Sequence, residues 1–320
     1  MLKRVIITAF VVTGTITAVL GSGTASAARR PCDVHIEAPA DLNQRFRKEP
    51  VGAVICVSGT FRIDSSLEPR DGQVIRGHAT IVNAGGVEDG FYLAQAEDVK
   101  IAGLEIMGFN TRGVRCGAGT RLVRSVLHHN AQNGVGCNLD NRAGSHIIIA
   151  HNQVYANGDP SIEGNTSGGM KFVRSGLPGA RPGNSVSVRH NEVWGNIGNG
   201  IWFDINSAGD LIARNEVWDN TRSGIRYEIS AGPGMIRRNV THGNAWYGIW
   251  ITSSAKVVVR ENIAVRNGKK DIIVISDERA RLTFPELGGT HDGYKIVNID
   301  VAGNTVAREV AGCSLDGVSC

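Results

Sequence analysis

The sequence predicts an all-β fold, a parallel β-helix (a single-stranded solenoid) with coils of about 22–24 residues. Three repeating markers predict it: a glycine before alternating apolar residues, an asparagine of the type Ile/Val-x-x-Asn-x-Val, and a second asparagine five residues later. The glycines are Gly134, Gly169, Gly200, Gly224 and Gly248. The asparagines are Asn152, Asn191, Asn215, Asn239 and Asn262, then Asn157, Asn196, Asn220, Asn244 and Asn267. Short β-branched runs between glycine and asparagine favour three short strands per coil, and the missing leucine comb excludes a leucine-rich repeat.

The N-terminus has the three parts of a secretory signal peptide. Residues 1–4 are basic, residues 5–20 carry no charge, and residues 24–27 are small. We therefore expect residues 1–27 to be removed, which predicts a secreted protein without membrane attachment. A membrane anchor is the alternative, but the apolar stretch is short and ends in a Gly-Ser-Gly turn.

The rest of the chain shows no linker and is predicted to be one domain, a monomer. Residues 28–72 would form an N-terminal cap with a helix over 41–48 and the first coil, residues 73–310 the β-helix, and residues 311–320 a tail. The 34 Lys and Arg exceed the 30 Asp and Glu only slightly and are scattered. This balance predicts no nucleic-acid partner.

Six cysteines in an exported chain predict disulfides, in the near pairs Cys32–Cys56, Cys116–Cys137 and Cys313–Cys320. Cys116 and Cys137 occupy the same inward position on neighbouring coils, and a strand spacing of about 4.8 Å brings them within reach. A buried pair of free thiols is the alternative for these two. No spacing fits zinc, so no metal is predicted.

Strand alternation sorts the residues after each glycine, with the first and third positions inward and the second and fourth outward. The second positions are Arg115, Gly136, Lys171, Trp202, Arg226 and Trp250; the fourth are Gly117, Asn138, Val173, Asp204, Glu228 and Thr252. Asp204 and Glu228 would lie side by side on adjacent coils. Two such carboxylates repel, so one should keep its proton to higher pH, as an acid and a nucleophile or base require. Two solvated surface acids are the alternative.

The neighbouring side chains predict a sugar-binding surface. Trp202 and Trp250 would stack on sugar rings, and Lys171 and Arg226 would orient acidic or hydroxylated sugars. Insertions at 157–168 and 176–184 flank Lys171 and would wall a cleft. The first insertion adds Glu163 as a substrate-binding candidate, and Arg174, between the two insertions, is another. His151 and His190 precede ladder asparagines, where a turn histidine is the commoner case.

The repeat resembles the right-handed parallel β-helix of the pectate-lyase-like superfamily, over about residues 50–310. The resemblance rests on Gly169-Met-Lys171-Phe-Val-Arg174, Gly200-Ile-Trp-Phe-Asp204-Ile-Asn206 and Gly224-Ile-Arg-Tyr-Glu228-Ile-Ser230. It implies a right-handed helix, a capping role for the helix at 41–48, and an activity on polysaccharides as a lyase, glycosidase, epimerase or esterase. The motifs of polygalacturonases and the aspartate cluster of calcium-dependent pectate lyases are absent.

Three functions follow as hypotheses, each with a polysaccharide partner. The first is a glycoside hydrolase without a cofactor, in which Glu228 is the acid and Asp204 the nucleophile or base. The second is a lyase or epimerase on a uronic-acid polymer: Lys171 takes the proton next to the carboxylate, Arg226 neutralises the acid, and Asp204, Glu228 and Glu163 would be free to hold calcium. The third is a glycan-binding protein without catalysis that relies on Trp202 and Trp250.

Overall fold

A computed structural model describes residues 30–139, 146–161, 166–176, 181–230, 232–276, 296, 298–308 and 310–320. The predicted signal peptide and Glu163 lie outside these residues. No helix within the described ranges has the length and hydropathy needed to cross a membrane.

The described chain contains one helix, α1 (Leu42–Lys48), and short strands throughout. The strands are β1 (Val34–Glu37), β2 (Val54–Ile63), β3 (Val74–Asn83), β4 (Asp89–Tyr92), β5 (Lys100–Ala102), β6 (Glu105–Met107), β7 (Arg112–Arg115), β8 (Arg121–Val123), β9 (Val126–His128), β10 (Asn133–Asn138), β11 (Ile147–Ala150), β12 (Gln153–Tyr155), β13 (Gly168–Val173), β14 (Val186–Arg189), β15 (Glu192–Trp194), β16 (Asn199–Asp204), β17 (Asp210–Ala213), β18 (Glu216–Trp218), β19 (Ile225–Glu228), β20 (Gly234–Arg237), β21 (Val240–His242), β22 (Tyr247–Thr252), β23 (Val257–Arg260), β24 (Ile263–Val265), β25 (Lys270–Ile275), β26 (Ile299–Ala302), β27 (Thr305–Val306) and β28 (Val318–Ser319).

The strands form two sheets in which each strand pairs in parallel with its equivalent on the next coil. The smaller sheet holds β4, β7, β10, β13, β16, β19, β22 and β25, and the larger sheet holds the other strands. A regular coil therefore gives one strand to the smaller sheet and two to the larger. The predicted all-β solenoid with three strands per coil is confirmed.

The interior is filled by the first and third positions of each repeat. Met170, Ile201, Ile225 and Ile249 form one fully buried column, and Phe172, Phe203, Tyr227 and Ile251 form the next. Strand pairing aligns Met170 with Ile201 and Phe172 with Phe203. Because a shift of one residue would turn these apolar side chains outward, the core fixes the register of the whole smaller sheet.

Buried asparagine ladders hold the turns. Asn191 donates its amide to the Ile149 carbonyl at 3.0 Å and to Asn215 Oδ1 at 2.9 Å, and the contact repeats from coil to coil. A second ladder includes Asn196, which bonds Asn220, and it ends on Asp271. The side-chain amides therefore satisfy carbonyls that the turns leave unpaired.

Short elements at both ends pack onto the solenoid. Asp41 caps α1 by accepting from the Gln44 backbone N–H, and Leu42 and Phe46 are buried against the core. Within the tail, Val318 pairs with Ile299 of β26. The parallel strand pairing of the solenoid begins before residue 73, because β2 pairs with β3 over ten residues.

The three predicted disulfides are present, with Cα–Cα distances of 5.8 Å for Cys32–Cys56, 4.9 Å for Cys116–Cys137 and 5.7 Å for Cys313–Cys320. Cys116 and Cys137 are both buried in the core.

Candidate functional site

The outer face of the smaller sheet carries the predicted column of second positions. Strand pairing places Arg115 beside Gly136 and Gly136 beside Lys171. It continues through Trp202 to Arg226 and then to Trp250. The register expected from the glycine marker is therefore confirmed, and the column brings cations and indole rings into alternating contact.

Lys171 forms an ion pair with Asp204 on the next strand. The distance from Nζ to Oδ2 is 3.1 Å, with side-chain exposures of 17% and 10%. The ammonium group also lies 3.6 Å from the centre of the Trp202 ring. Burial lowers the pKa of the Lys171 amine, and the attraction of Asp204 opposes that change. A lysine with a lowered pKa is suited to accept a proton, because more of it is neutral near pH 7.

Glu228 is paired with Asp204 across the strands, as the sequence predicts, but it has its own cation. Arg226 Nη2 lies 2.5 Å from Glu228 Oε1, and Trp202 Nε1 donates to Oε2 at 3.2 Å. Since Lys171 pairs with Asp204 and Arg226 pairs with Glu228, each carboxylate is neutralised separately. The repulsion expected between the two carboxylates is therefore screened by a basic side chain on each.

The two indole rings are covered by cations. Trp202 is 2% exposed and Trp250 is 7% exposed. The Arg226 guanidinium lies 3.9 Å from the Trp250 ring centre and 5.0 Å from that of Trp202, and is itself 2% exposed. Neither ring presents an open face to a sugar, and Arg226 is held between the two rings. The prediction that Trp202, Arg226 and Trp250 contact the substrate directly is therefore corrected.

A cationic cleft of about 220 Å³ lies at the other side of Lys171. Its described lining residues are Arg112, Arg115, Gln132, Asn133, Gly136, Cys137, Asn138, Thr166, Lys171 and Val173. Three cations face this cleft, together with amide groups that can bond hydroxyl groups. The arrangement suits a sugar that carries a carboxylate, because guanidinium groups bind carboxylates in a fixed geometry.

Asp89 holds the two arginines from the strand behind them. Its carboxylate lies 3.3 Å from Arg112 Nη1 and 4.0 Å from Arg115 Nη1. Burial raises the pKa of Asp89, and the charge of Arg112 opposes the rise. Sequence reasoning placed Arg115 on the outer column without a role and missed Asp89 and Arg112. Asp89 and Arg112 could have been found from the sequence register, because they are opposite charges at directly paired positions of β4 and β7.

Gly136 makes room for Arg112 in the floor of the cleft. A Cβ atom on Gly136 would lie 2.4 Å from Arg112 Cδ and 2.5 Å from Nε. The glycine gap in the outer column therefore lets the Arg112 side chain lie across the sheet.

Three other predicted residues, Arg174, His151 and His190, have their placement set by turns. Arg174 follows β13 with a φ of 52°, and its backbone N–H donates to the carbonyls of Asp204 and Ile205. His151 and His190 lie in turns of the larger sheet, where their rings stack 4.8 Å apart. A substrate role for Arg174 stays a prediction, and the two histidines do not line the cleft.

Two of the three carboxylates named as possible calcium ligands, Asp204 and Glu228, each contact a basic side chain. The third, Glu163, lies outside the described residues, and calcium binding stays a prediction. Within the described part of the chain, one group of three side chains has metal-ligand spacing, Cys32, His35 and Cys56, and its two cysteines form a disulfide.

Comparison with known proteins supports the fold. A family model described as a right handed beta helix region matches residues 89–284. No curated protein sequence matches the chain. Among solved structures, the A-module of a mannuronan C-5 epimerase from Azotobacter vinelandii is similar with a TM-score of 0.61 and 16% identity, covering 89% of this chain and 79% of that one.

Two further structures are similar at comparable identity. A periplasmic alginate epimerase has a TM-score of 0.57 and 15% identity, covering 90% of this chain and 84% of that one. A pectate lyase has a TM-score of 0.54 and 15% identity, covering 85% and 74%. At these identities the likeness shows the fold, and the family model indicates its right-handed sense.

Proposed function

Because the chain belongs to the family of proteins with a right-handed β-helix region, we propose that it is a secreted enzyme that acts on a uronic-acid polymer as a lyase or an epimerase. Two of the similar structures are epimerases of mannuronan or alginate and one is a pectate lyase. The polymers in those names all consist of uronic acids. The three disulfides suit an oxidising compartment outside the cytoplasm.

One observation carries the proposal: Lys171, whose pKa is lowered by burial, lines the same cleft as Arg112 and Arg115. A base for a uronic acid must remove the weakly acidic proton on the carbon next to the carboxylate. That proton becomes more acidic when the carboxylate charge is neutralised. The cleft offers both groups, a base on one side and a pair of guanidinium groups on the other.

The reaction follows from this arrangement. Arg112 and Arg115 bind the sugar carboxylate, and the neutral Lys171 amine takes the proton from C5. In a lyase the electron pair forms a C4–C5 double bond while the C4–O bond breaks, and the departing oxygen takes up a proton. In an epimerase the C4–O bond stays intact and a proton returns to the opposite face of C5.

The two arginines replace Arg226 as the groups proposed to neutralise the substrate. Arg226 is 2% exposed and is bonded to Glu228, whereas Arg112 and Arg115 line the open cleft. Asp89 positions both arginines. Its charge is outweighed by theirs, so the cleft stays cationic toward an acidic sugar.

A second candidate is the glycoside hydrolase, favoured by the direct pairing of Asp204 with Glu228 on adjacent strands. A retaining hydrolase needs one carboxyl group protonated and one ionised at close range. Asp204 and Glu228 each contact a basic side chain and neither lines the cleft, which is why the lyase or epimerase is preferred. Binding without catalysis through Trp202 and Trp250 has less support, because both rings are buried.

The test is an activity screen of the purified mature protein on alginate, polygalacturonate and a neutral glucan. Ultraviolet absorbance detects the unsaturated product of a lyase, and uptake of deuterium at C5 from heavy water detects an epimerase. We expect Lys171→Met to lower either activity by roughly a thousandfold. Lys48→Met, on the exposed face of α1, is the matched control and should leave it unchanged.

The hydrolase predicts a different outcome. New reducing ends without absorbance, lost in Asp204→Asn and in Glu228→Gln, would replace the proposal with hydrolysis. Inactivity on both uronic-acid polymers, with folding shown by a cooperative melt, would also overturn it.

A further inference from the structure

A row of basic side chains follows one turn of the solenoid. Arg124, His151, His190, Arg214 and Arg238 each precede a Ser or Asn of the turn and have left-handed φ angles of 51°, 59°, 55°, 56° and 55°. Backbone bonds link successive coils, from His151 to Arg189 and from His190 to Ala213, for example. These five residues, called the basic ridge below, are therefore spaced about 4.8 Å apart along the solenoid axis.

The turn geometry does not dictate basic residues. Left-handed backbone favours Gly, Asn and Asp, and it is unfavourable for a long side chain. The next turn of these coils supplies an internal comparison: its left-handed positions are His129, Ala156, Gly195, Asp219, Gly243 and Arg266. Two of these six residues are basic, whereas five of the six left-handed residues from Arg124 to Glu261 on the first turn are basic. The backbone conformation alone therefore does not account for the basic residues of the ridge.

One of the three ridge arginines forms an ion pair within the described residues. Arg238 pairs with Glu261 at its end, while Arg124 and Arg214 are exposed and form no ion pair among the described side chains. The pKa of His190 is lowered, first by burial and then by the positive charges of His151, Arg214 and Arg189. Basic groups one coil apart repel one another, so an anion along this row would relieve that repulsion.

A second row of groups runs beside the ridge, two residues further along each coil. Gln153, Glu192 and Glu216 are exposed and lie in register on β12, β15 and β18. These carboxylates and the amide would repel a broad anionic surface, but they can accept hydrogen bonds from hydroxyl groups. The two rows together match a single polymer chain that carries both carboxylates and hydroxyl groups.

We propose that the basic ridge is a second binding surface that holds one chain of an acidic polysaccharide along the solenoid axis. It lies on turns of the larger sheet, whereas the cationic cleft lies on the smaller sheet. The inference therefore goes beyond the proposed function and does not depend on it. Such a surface would keep an anionic polymer attached whether or not the cleft is occupied.

The test removes the charges without straining the turn. Asn accepts left-handed backbone, so R124N/R214N/R238N should fold at least as stably as the parent. Binding to polygalacturonate is measured at several salt concentrations, in the Lys171→Met background so that no polymer is consumed. We expect the Kd to rise roughly tenfold and its salt dependence to weaken, as three exposed ion pairs contribute about 1 kcal/mol or more together. Dextran, which is neutral, should bind neither protein.

Three exposed cations at the N-terminal cap provide the control. Substituting Asn for Arg47, Lys48 and Arg62 removes the same charge elsewhere and should leave the Kd unchanged. Equal losses in both triple variants would overturn the ridge, because only net charge would then matter. Tighter binding to vesicles of anionic phospholipid than to polygalacturonate would assign the ridge to a membrane and overturn the polysaccharide. R124K/R214K/R238K keeps the charge while changing the same side chains, and it should keep the parent affinity, which separates loss of charge from a change in the turn.

Discussion

Lys171 and Asp204 form an ion pair across two neighbouring strands, with 3.1 Å between Nζ and Oδ2. The pair decides how the proposed base is protonated, because burial favours the neutral amine and Asp204 favours the ammonium ion. We therefore expect Asp204 to affect the reaction through the pKa of Lys171.

The first prediction concerns the pH dependence of turnover. A base works when deprotonated, so kcat/KM should rise with pH up to the lowered pKa of Lys171 and then level off. Asp204→Asn removes the attraction that raises this pKa, so the rising limb should move to lower pH. A pH–rate profile of both proteins measures it, with the exposed Asp64→Asn as a remote control. If the rising limb stays at the same pH in Asp204→Asn, Asp204 does not set the pKa of the catalytic base.

The second prediction uses the glycine under Arg112. In Gly136→Ala the new Cβ would meet only the end of a flexible side chain, so Arg112 should move and the fold should lose less than about 1 kcal/mol. KM for a uronic-acid polymer should rise roughly tenfold, since one guanidinium contact is displaced. Gly134→Ala is the contrast: its Cβ meets Val154 and the Gly169 carbonyl, so it should destabilise the protein. If Gly136→Ala and Gly134→Ala lose equal stability, Gly136 does not serve mainly to make room for Arg112.

A buried carboxyl group gives a third, independent prediction. Asp210 accepts from the Ser175 hydroxyl at 2.7 Å and lies 3.1 Å from the Tyr227 hydroxyl, which also lies 3.1 Å from the Ser207 carbonyl. Tyr227 has one proton for two acceptors, so a protonated Asp210 satisfies the network by donating to Tyr227. Burial raises the pKa of Asp210 to about 7.

The sign of the stability change follows. Between about pH 4 and pH 7 the folded protein holds a proton on Asp210 that the unfolded chain has lost, so stability falls as pH rises through this range. Asp210→Asn should abolish that loss. Its free energy of unfolding should exceed that of the parent by up to about 4 kcal/mol at pH 8 and differ little from it at pH 4. Urea unfolding at both pH values measures it, beside the exposed Asp64→Asn. The same difference at both pH values would contradict the raised pKa.

The fourth prediction concerns the disulfide in the core. Cys116 and Cys137 close a segment with a sequence separation of 21 and are buried. Replacing both with Ala should cost about 3 kcal/mol in the free energy of unfolding, because the unfolded chain regains the freedom of that loop. Thermal melts check this, and the solvent-exposed pair Cys313–Cys320 should cost less because it closes only 7 residues. Equal melting temperatures for the first variant and the parent would contradict it.

The sequence was sufficient for the fold because its information is local and repeated. Alternation places Phe172 and Phe203 inside and Lys171 and Trp202 outside, and one glycine per coil fixes which strand positions meet. The pairing of Asp204 with Glu228 and the Cys116–Cys137 disulfide follow from that register alone.

The site required the tertiary structure, because charge partners are chosen across space. The sequence placed Asp204 beside Glu228, but only the side-chain geometry shows that Lys171 and Arg226 take one carboxylate each. Burial has the same origin: Trp202 and Trp250 alternate outward, yet cations cover their rings.

The sequence by itself determined the solenoid, its register and the side chains that leave the core, since strand periodicity is a property of the backbone. Only the tertiary structure decided that Arg112 crosses Gly136 into a cleft with Lys171, and that basic residues scattered along the chain align on one turn. The reason is physical: the reach, pairing and solvation of a long charged side chain depend on neighbours one coil away, which lie more than twenty residues distant in the chain.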